Sequence, residues 1–421
     1  MVGIVTSTKT VNSPPVRVLA VVELGNNWGH LLRVLPVIDS LLAEGHEVLF
    51  AVPDVGKARL ALQRSDIALV KCPGALVAAQ VGAFEYEFYA QILERCVFGD
   101  DQLLARSIAQ WDELLSTWRP DVMLTDFAPG ALFAARLHQL PVVQIPVGWE
   151  APPLESALPV IRPWKKVDPA VISRYEDRLR MRLNLWCDLR GANMLEELSD
   201  LYAIGTQLLT TFPEIDCFGP RCAEVNYVGP IITVDRGIPL DWASDARSSG
   251  APFRVLVYLK PSPALVPVLM YLRTVMRAEI IAILQELPPI VVGHLRSVGI
   301  RVVDAAVQLQ RLLADAHLVV SNAGHGVAAA ALLAGVPLLT IPLTIDQFLL
   351  ASKLGSTGAA VVMPDGEASL RLSDGTVAQL LREGTYRKAA KEFAQRYAGR
   401  SQHRTINAIV QALLDRARTR E

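Results

Sequence analysis

Short apolar runs alternate with amphipathic helical segments along most of this chain, and this alternation constrains the fold more than any other feature. Residues 17–22 are typical of a buried parallel strand, and helical spacing follows over residues 30–42. A second strand predicted at Glu47–Val52 completes a strand, helix, strand unit. Because the pattern recurs in two series, we predict an α/β protein with two Rossmann-like, doubly wound domains. Their parallel sheets are expected to face each other across a cleft.

The same rules give the remaining elements of both series. The first series has predicted strands at 67–70, 122–125 and 142–145, and helices at 130–139 and 172–201. The second series has predicted strands at 254–259, 290–292, 301–303, 317–320 and 338–341. Its helices are predicted from the first of these strands to about residue 286, from 326, from 346, and through the C-terminal segment.

Changes in composition divide the chain. Residues 1–15 are predicted to be a flexible tail, and 16–235 an N-terminal domain with an insertion at 151–205 that begins rich in proline. A linker at 236–252 precedes a C-terminal domain at 253–400. Insertions on a rigid sheet often determine substrate specificity, so we expect the first domain to bind an acceptor.

Charge and hydropathy exclude several classes of protein. The 421 residues carry a net charge of −1, so no basic surface for nucleic acid is expected. No apolar run reaches the ~18 residues needed to span a bilayer. The polar N-terminus does not have the pattern of a signal peptide, which predicts a cytoplasmic protein.

The five cysteines are too few and too scattered for a disulfide framework. Buried free thiols in a reducing compartment are the expected state. Cys217 and Cys222 have no second Cys/His pair nearby to complete a zinc site.

Two candidate catalytic residues follow strands of the first series. His30 comes after the first strand and its loop, and Asp126 directly follows the strand at 122–125. Because the carboxyl ends of parallel strands lie at one edge of a sheet, the aspartate could orient the imidazole as a general base. The alternatives are a packed histidine and a helix-capping aspartate.

A second candidate site lies in the other half of the chain. In residues 318–327 a strand leads through small residues into a helix, and backbone amides at such a helix start bind phosphate. Asp346 and Gln347 follow the next strand and could hold sugar hydroxyls. The alternatives are a tight strand–helix turn and an acidic residue that merely favours the helix N-terminus.

Aromatic residues concentrate in predicted loops and edges of the first domain. We predict an acceptor site between residues 25–30, 83–89 and 149–164, since aromatics in clefts offer apolar area with a polar group. Ordinary core packing is the alternative. The predicted acceptor-binding residues are Trp28, Phe84, Tyr86 and Trp149, and Phe88, Tyr89 and Trp164 belong to the same cluster.

These motifs occur in an order and spacing that resemble the GT-B fold, inverting glycosyltransferases that use nucleotide-diphospho-sugars. This is the family of the UDP-glucuronosyltransferases and of the macrolide and glycopeptide glycosyltransferases. The residues that carry the resemblance extend over nearly the whole chain: Gly29-His30, Leu35, Leu42, Gly45 to Phe50, Asp126, Ala134, Pro141-Val142, Tyr227 to Pro230, Gln308, Leu312-Leu313, Ala316, Leu318 to Val320, Gly324, Gly326, Ala331-Leu332, Gly335 to Pro337 and Asp346-Gln347.

The resemblance implies roles for these residues. It makes His30 the base that deprotonates the acceptor hydroxyl, and Asp126 the carboxylate that orients it. It implies that the C-terminal helix, 401–421, returns to the N-terminal domain. The predicted donor-binding residues are Lys260, Ser262, Gln308, Asn322, Gly324, His325, Gly326, Val327, Asp346 and Gln347.

The donor loop departs from the family pattern. Asn322 replaces a histidine that contacts the diphosphate, Ala323 replaces a glycine, and Val327 replaces a hydroxyl residue. Ala330 and Ala305 replace a ribose-binding glutamate and a base-stacking aromatic. Lys260-Pro261-Ser262 stands where the family has a Gly-Ser loop. Backbone amides at 324–327 survive these changes, and Lys260 could supply a compensating charge.

The sequence therefore predicts an inverting, metal-independent glycosyltransferase. A UDP- or dTDP-linked sugar and a small, partly apolar acceptor are the expected substrates, in bacterial natural-product metabolism. No cofactor or metal is expected, and a homodimer is left open. One alternative is a pseudo-glycosyltransferase that serves as a partner or activator. Another is a GT-B enzyme of different chemistry, such as an epimerase or a transferase with a non-nucleotide donor.

Overall fold

Two parallel β-sheets form the framework of the protein. The computed structural model describes residues 14–25, 28–74, 85–154, 157–221, 225–232, 237–243, 252–364, 372 and 375–419. The N-terminal sheet has seven strands in the order β3-β2-β1-β4-β5-β6-β7. These strands are β1 (Arg17–Val21), β2 (Glu47–Val52), β3 (Ala68–Lys71), β4 (Val122–Thr125), β5 (Val142–Gln144), β6 (Thr206–Leu209) and β7 (Asn226–Tyr227).

The C-terminal sheet repeats this winding with six strands in the order β10-β9-β8-β11-β12-β13. Both sheets are parallel throughout, with the order reversing between β1 and β4 and between β8 and β11. The strands are β8 (Arg254–Leu259), β9 (Glu279–Leu284), β10 (Arg301–Val303), β11 (Leu318–Ser321), β12 (Leu338–Thr340) and β13 (Ala360–Val362). The predicted fold class is confirmed.

Helices cover both faces of each sheet. In the first half these are α1 (Trp28–Ala43), α2 (Val55–Leu62), α3 (Tyr89–Leu93), α4 (Asp101–Trp118), α5 (Pro129–Leu137) and α6 (Pro169–Arg190), with a π-helix at Glu94–Phe98 and 3-10 turns at Leu198–Leu201 and Pro213–Ile215. In the second half these are α7 (Leu265–Thr274), α8 (Pro289–Ser297), α9 (Leu309–Asp315), α10 (His325–Leu333), α11 (Ile345–Ser356), α12 (Thr376–Arg382), α13 (Gly384–Arg396) and α14 (Gln402–Arg418). Among the described residues, every helix is too short or too polar to cross a bilayer.

Two predicted elements of the second series are wrong. The predicted helix extending to residue 286 ends at Thr274, and β9 follows it. Arg277 adopts a left-handed φ of 51°, which reverses the chain without a glycine to announce the turn. The strand predicted at 290–292 is the first turn of α8, which begins at Pro289 because proline is favoured there.

The predicted 172–201 helix is shorter than expected. Gly191, with a φ of 62°, caps α6 at Arg190, and a separate 3-10 turn carries the last residues of the prediction. Strands β6 and β7, which widen the N-terminal sheet, lack a clear apolar pattern, and our sequence analysis did not find them.

The chain crosses between the two sheets twice. Ile409, Val410 and Leu413 of α14 are buried in the apolar core beneath β1 and α1. At the crossings, Thr405 Oγ1 donates to Val228 O at 2.6 Å, and Ile232 N–H donates to the side chain of Gln402 at 2.6 Å. The two crossing segments are therefore bound to each other. The domain boundaries stay predictions, and residues 1–13 and 244–251 lie outside the described part.

Further contacts close the two halves onto each other around α11. Trp164 of the insertion packs edge-on against Phe348, with ring centroids 5.0 Å apart. Lys353 Nζ donates to Gly219 O at 2.8 Å. The apolar side chains of Ile345 and Leu349 pack against the N-terminal core.

Candidate active site

His30 occupies the first turn of α1, at the carboxyl edge of the N-terminal sheet. The loop that delivers it passes close over the ring, since a Cβ on Gly25 would lie 2.3 Å from His30 Cγ. Glycine is therefore required there for steric reasons. The side chain of His30 remains 18% exposed and stacks beside Phe127 at a centroid distance of 6.4 Å.

Asp126 directly follows β4 and is buried. Its backbone N–H donates to Val21 O at 3.0 Å, which fixes it beside the end of β1. One carboxylate oxygen, Oδ2, lies 2.9 Å from His30 Nδ1. Burial alone would raise the pKa of Asp126, but the charge of Arg33 and the bond to His30 outweigh burial and hold that pKa below its usual value. The carboxylate is thus ionised and able to orient the imidazole.

Arg33 and Glu150 complete this cluster, and our sequence analysis missed both. Arg33 lies three residues after His30 on α1, and its guanidinium is only 8% exposed. Its Nη2 lies 2.7 Å from both oxygens of Asp126 and 3.0 Å from Glu150 Oε1. The helical spacing could have placed Arg33 beside His30, whereas Glu150 arrives from an irregular loop after β5.

These side chains are also arranged like metal ligands. Among the described residues, His30, Asp126 and Glu150 form the one such group, with ligand atoms all within 4.8 Å of one another. Arg33 Nη2 reaches all three residues within 3.0 Å. The guanidinium therefore supplies the positive charge at the centre of the group.

Two residues of the C-terminal half approach this cluster. His325, the first residue of α10, is 2.8 Å through its Nε2 from Thr211 Oγ1 of the N-terminal half. Burial, with a contribution from the charge of Arg33, lowers the pKa of His325 to about 3, so this imidazole is neutral. Burial and the charge of Glu150 raise the pKa of Asp346, while a bond from Thr344 and the charge of His30 oppose them.

The donor loop itself is held by Asn322. Its side-chain oxygen accepts from Lys260 N–H at 2.7 Å, and its amide donates to Ile341 O at 2.7 Å. The side chain thus joins the ends of β8, β11 and β12, and both of its polar groups are engaged by the backbone. A direct contact between Asn322 and a diphosphate stays a prediction.

The other predicted donor residues surround the start of α10. Gly324 and Gly326 are exposed there, and a Cβ at either position would meet nothing within 4 Å. Val327 is half-buried against the C-terminal core. Ser262 Oγ is buried and, within the described part of the chain, has no hydrogen-bond partner. The helix start is thus open, with free backbone amides at the positive end of its dipole.

Gln308 and Gln347 have structural partners. Gln308 N–H donates to Ile238 O at 3.0 Å at the start of α9, and Gln347 Oε1 accepts from Leu343 N–H at 2.9 Å. Their contacts with a donor stay predictions.

The predicted acceptor residues do not share one environment. Tyr86 is 4% exposed and belongs to the N-terminal core together with Phe88 and Tyr89. Trp149 stacks on Phe218 at 6.0 Å and packs against that core. Trp28, at the start of α1, is 39% exposed. Phe84 and Cys222 lie outside the described residues, and the other four cysteines are free thiols, three of them buried.

Two family models match the chain, one in each half. Residues 16–147 match glycosyl transferase family 1, and residues 268–413 match the C-terminal domain of proteins similar to erythromycin biosynthesis protein CIII. Together they cover more than half of the chain and include His30, Asp126 and the donor loop. Comparison with curated protein sequences gives no match.

Solved structures share the fold over nearly the full length. Glycosyltransferase VinC in complex with dTDP is 20% identical, with a TM-score of 0.64 over 95% of this chain and 100% of that chain. Spinosyn rhamnosyltransferase SpnG, complexed with spinosyn aglycone, is 20% identical, with a TM-score of 0.62 over 94% and 100%. Glycosyltransferase SnogD from Streptomyces nogalater is 20% identical, with a TM-score of 0.59 over 95% and 100%.

Proposed function

Because the chain is a glycosyltransferase of the GT-B family, we propose that it transfers a sugar, with inversion and without a metal ion, from a nucleotide-diphospho-sugar to a small, partly apolar acceptor. One observation carries this proposal: the His30–Asp126 pair faces His325 and Asp346, which belong to the donor half. A base on one wall and a phosphate-binding helix start on the other is the arrangement that a direct displacement needs.

The reaction uses each wall once. His30 takes the proton of the acceptor hydroxyl on Nε2, while Nδ1 is held by Asp126 at 2.9 Å. The acceptor oxygen attacks the anomeric carbon from the side opposite the diphosphate, which inverts the configuration. The leaving diphosphate takes its negative charge toward the amides at the start of α10, where the helix dipole favours an anion. Asp346 and Gln347 are proposed to bind the sugar hydroxyls.

The substrates are proposed from chemistry and likeness together. Solved relatives are described with dTDP and with a macrolide-type aglycone, which supports a dTDP- or UDP-linked donor and an acceptor from natural-product metabolism. Trp28 and Trp149 are the described aromatics proposed to contact the acceptor. A cytoplasmic location and a homodimer remain parts of this proposal without a structural argument.

A non-catalytic partner is the second candidate, and the binding of Asn322 to the backbone favours it. That residue replaces a phosphate-binding histidine, and both its polar groups are occupied. A protein that had lost donor use would keep the fold but not the affinity. The intact His30–Asp126 pair argues against this candidate, because a non-catalytic protein has no need of an oriented base.

A ligand screen separates the two candidates. We expect dTDP, UDP or one of their sugars to raise the melting temperature of the purified full chain, since binding to the native state stabilises it. Release of nucleotide diphosphate with an acceptor library then tests transfer, and the anomeric configuration of the product tests inversion. The absence of any response to nucleotides would favour the partner candidate. Activity unchanged by a chelator is the expected result for the metal-independent mechanism.

A further inference from the structure

Arg33 places a buried guanidinium against the nitrogen of His30 that faces Asp126. Its Nη2 lies 3.0 Å from His30 Nδ1, 2.7 Å from each oxygen of Asp126 and 3.0 Å from Glu150 Oε1. Nη2 carries two hydrogens, whereas four acceptor positions lie within reach. The acceptors therefore compete for these hydrogens.

This competition matters because Nδ1 of a neutral imidazole either donates or accepts. If Nδ1 carries the proton, it donates to Asp126 and leaves a lone pair on Nε2, which can act as a base. If instead Arg33 donates to Nδ1, the proton lies on Nε2 and His30 cannot accept a proton there. A single hydrogen bond thus decides whether the imidazole is ready for the reaction.

Glu150 holds the balance. Its Oε2 accepts from Val147 N–H at 2.8 Å, so the carboxylate is fixed by the backbone, and its Oε1 faces Arg33. The side chain is 5% exposed, which strengthens its attraction for the guanidinium.

We propose that Arg33 and Glu150 are positioning residues that set the tautomer of His30. Glu150 and Asp126 take the hydrogens of Arg33 Nη2, and Nδ1 is left to donate to Asp126. This inference rests on the proposed function only in that Nε2 is the base. The tautomer itself is a property of the free protein.

Nitrogen-15 NMR of the full chain, labelled at its seven histidines, tests this directly. Loss of one signal pair in His30→Gln assigns the residue. We expect His30 in the wild type to have a protonated Nδ1 and an unprotonated Nε2. In Glu150→Ala the freed hydrogen of Arg33 turns to Nδ1, so the proton should move to Nε2, and turnover should fall about 100-fold.

The double variant Arg33→Met/Glu150→Ala is the decisive comparison. It removes one positive and one negative charge and leaves the pair of His30 and Asp126. We expect the original tautomer to return, and turnover to recover at least tenfold over Glu150→Ala. A purely structural role of Glu150 would not be relieved by a second deletion. If Glu150→Ala does not fold, Glu150→Gln, which keeps the volume with less acceptor capacity, replaces it.

Asp112→Asn is the matched control, because Asp112 bonds His138 at 2.7 Å on the surface of the same domain. It should change the signals of His138 and leave those of His30 unchanged. The proposal is overturned if wild-type His30 has its proton on Nε2. It is also overturned if Glu150 replacement leaves the tautomer unchanged, or if the double variant does not restore it. Absence of sugar transfer with the expected tautomers would instead overturn the proposed function alone.

Discussion

The two walls of the candidate active site are built in opposite ways. The N-terminal wall consists of interlocked ionisable side chains, with His30, Arg33, Asp126 and Glu150 in mutual contact. The donor loop on the C-terminal wall offers backbone amides and small residues, and its one strongly polar side chain, Asn322, is bound to the backbone. Side chains are sensitive to substitution, whereas backbone amides persist. The donor loop could therefore lose the family's polar side chains without losing its means of binding an anion.

The largest expected effect comes from removing the base. His30→Ala should lower turnover by about 10²–10⁴-fold while donor affinity changes little, because His30 lies on the wall opposite the donor loop. Steady-state kinetics and calorimetric donor binding on the same preparation measure both quantities. Wild-type turnover in the folded variant would show that the side chains of this wall do not carry the chemistry.

Asp126→Asn sharpens the same point. It should cost less turnover than His30→Ala, because the imidazole remains, and the double variant should be no slower than His30→Ala. Additive losses would mean that the two residues act separately. Unfolding curves serve as the control, because Asp126 is buried next to Arg33 and the variant is expected to be less stable.

Glu23 tests how strongly the N-terminal wall depends on buried charge. Its Oε2 accepts from Gly130 N–H at 2.7 Å, and burial raises its pKa from 4.5 to about 7. The native state therefore holds this proton more tightly than the unfolded state, and stability is lost as the pH rises from about 4.5 through 7. The full loss is about 3 kcal/mol.

We expect Glu23→Gln to remove this loss. The free energy of unfolding by urea at pH 5 and pH 8 should differ by up to about 3 kcal/mol less in the variant than in the wild type. Any pH-independent cost of the buried amide cancels in this difference. Exposed Glu44→Gln is the control and should leave the pH dependence unchanged. An unchanged slope in Glu23→Gln would show that Glu23 does not titrate in this range.

On the opposite wall, Asn322→Ala tests the frame rather than a ligand contact. It leaves Lys260 N–H and Ile341 O without the partners they have now, so the fold should lose about 1–3 kcal/mol. Donor affinity should weaken along with it, because the loop loses its tie to β8 and β12. Full stability with weaker donor binding would instead assign Asn322 to direct phosphate contact. Asn322→His then asks whether the family's side chain can bind the donor here.

Val327→Thr has the smallest expected effect. It restores the hydroxyl that the family has at this position at nearly the same volume. If the amides of α10 already bind the diphosphate, donor affinity should change less than tenfold, or about 1 kcal/mol. An improvement well beyond tenfold would show that the lost side chain mattered and that the contrast between the walls is overstated.

The residues that sequence reasoning could place are those tied to strand ends. His30 and Asp126 were predicted together because β1 and β4 are neighbours in a doubly wound sheet, and the start of α10 follows β11 by the same rule. Arg33 could not be placed, because the apolar period of α1 predicts that a charged residue faces solvent. Glu150 depends on the path of an irregular loop, which no periodicity describes.

The wrong elements have a similar cause. The run Glu279–Leu284 is apolar and short, so it fits a buried helix or a buried strand equally well. What separates it from α7 is the left-handed turn at Arg277, a conformation that arginine does not signal. Local sequence therefore specified which segments are apolar, and tertiary pairing with β8 and β10 decided which of them became strands.

The doubled crossing of the chain restricts how the active site can open. The segment that leaves the N-terminal half and the segment that returns to it are bound side by side, through Thr405 to Val228 and Gln402 to Ile232. Two fixed links close together form a hinge, about which one half can swing but along which it cannot slide. Opening to admit substrates would then be a rotation that separates Trp164 from Phe348. Closing returns His30 to the same position opposite the donor loop at each turnover, without a separate alignment step.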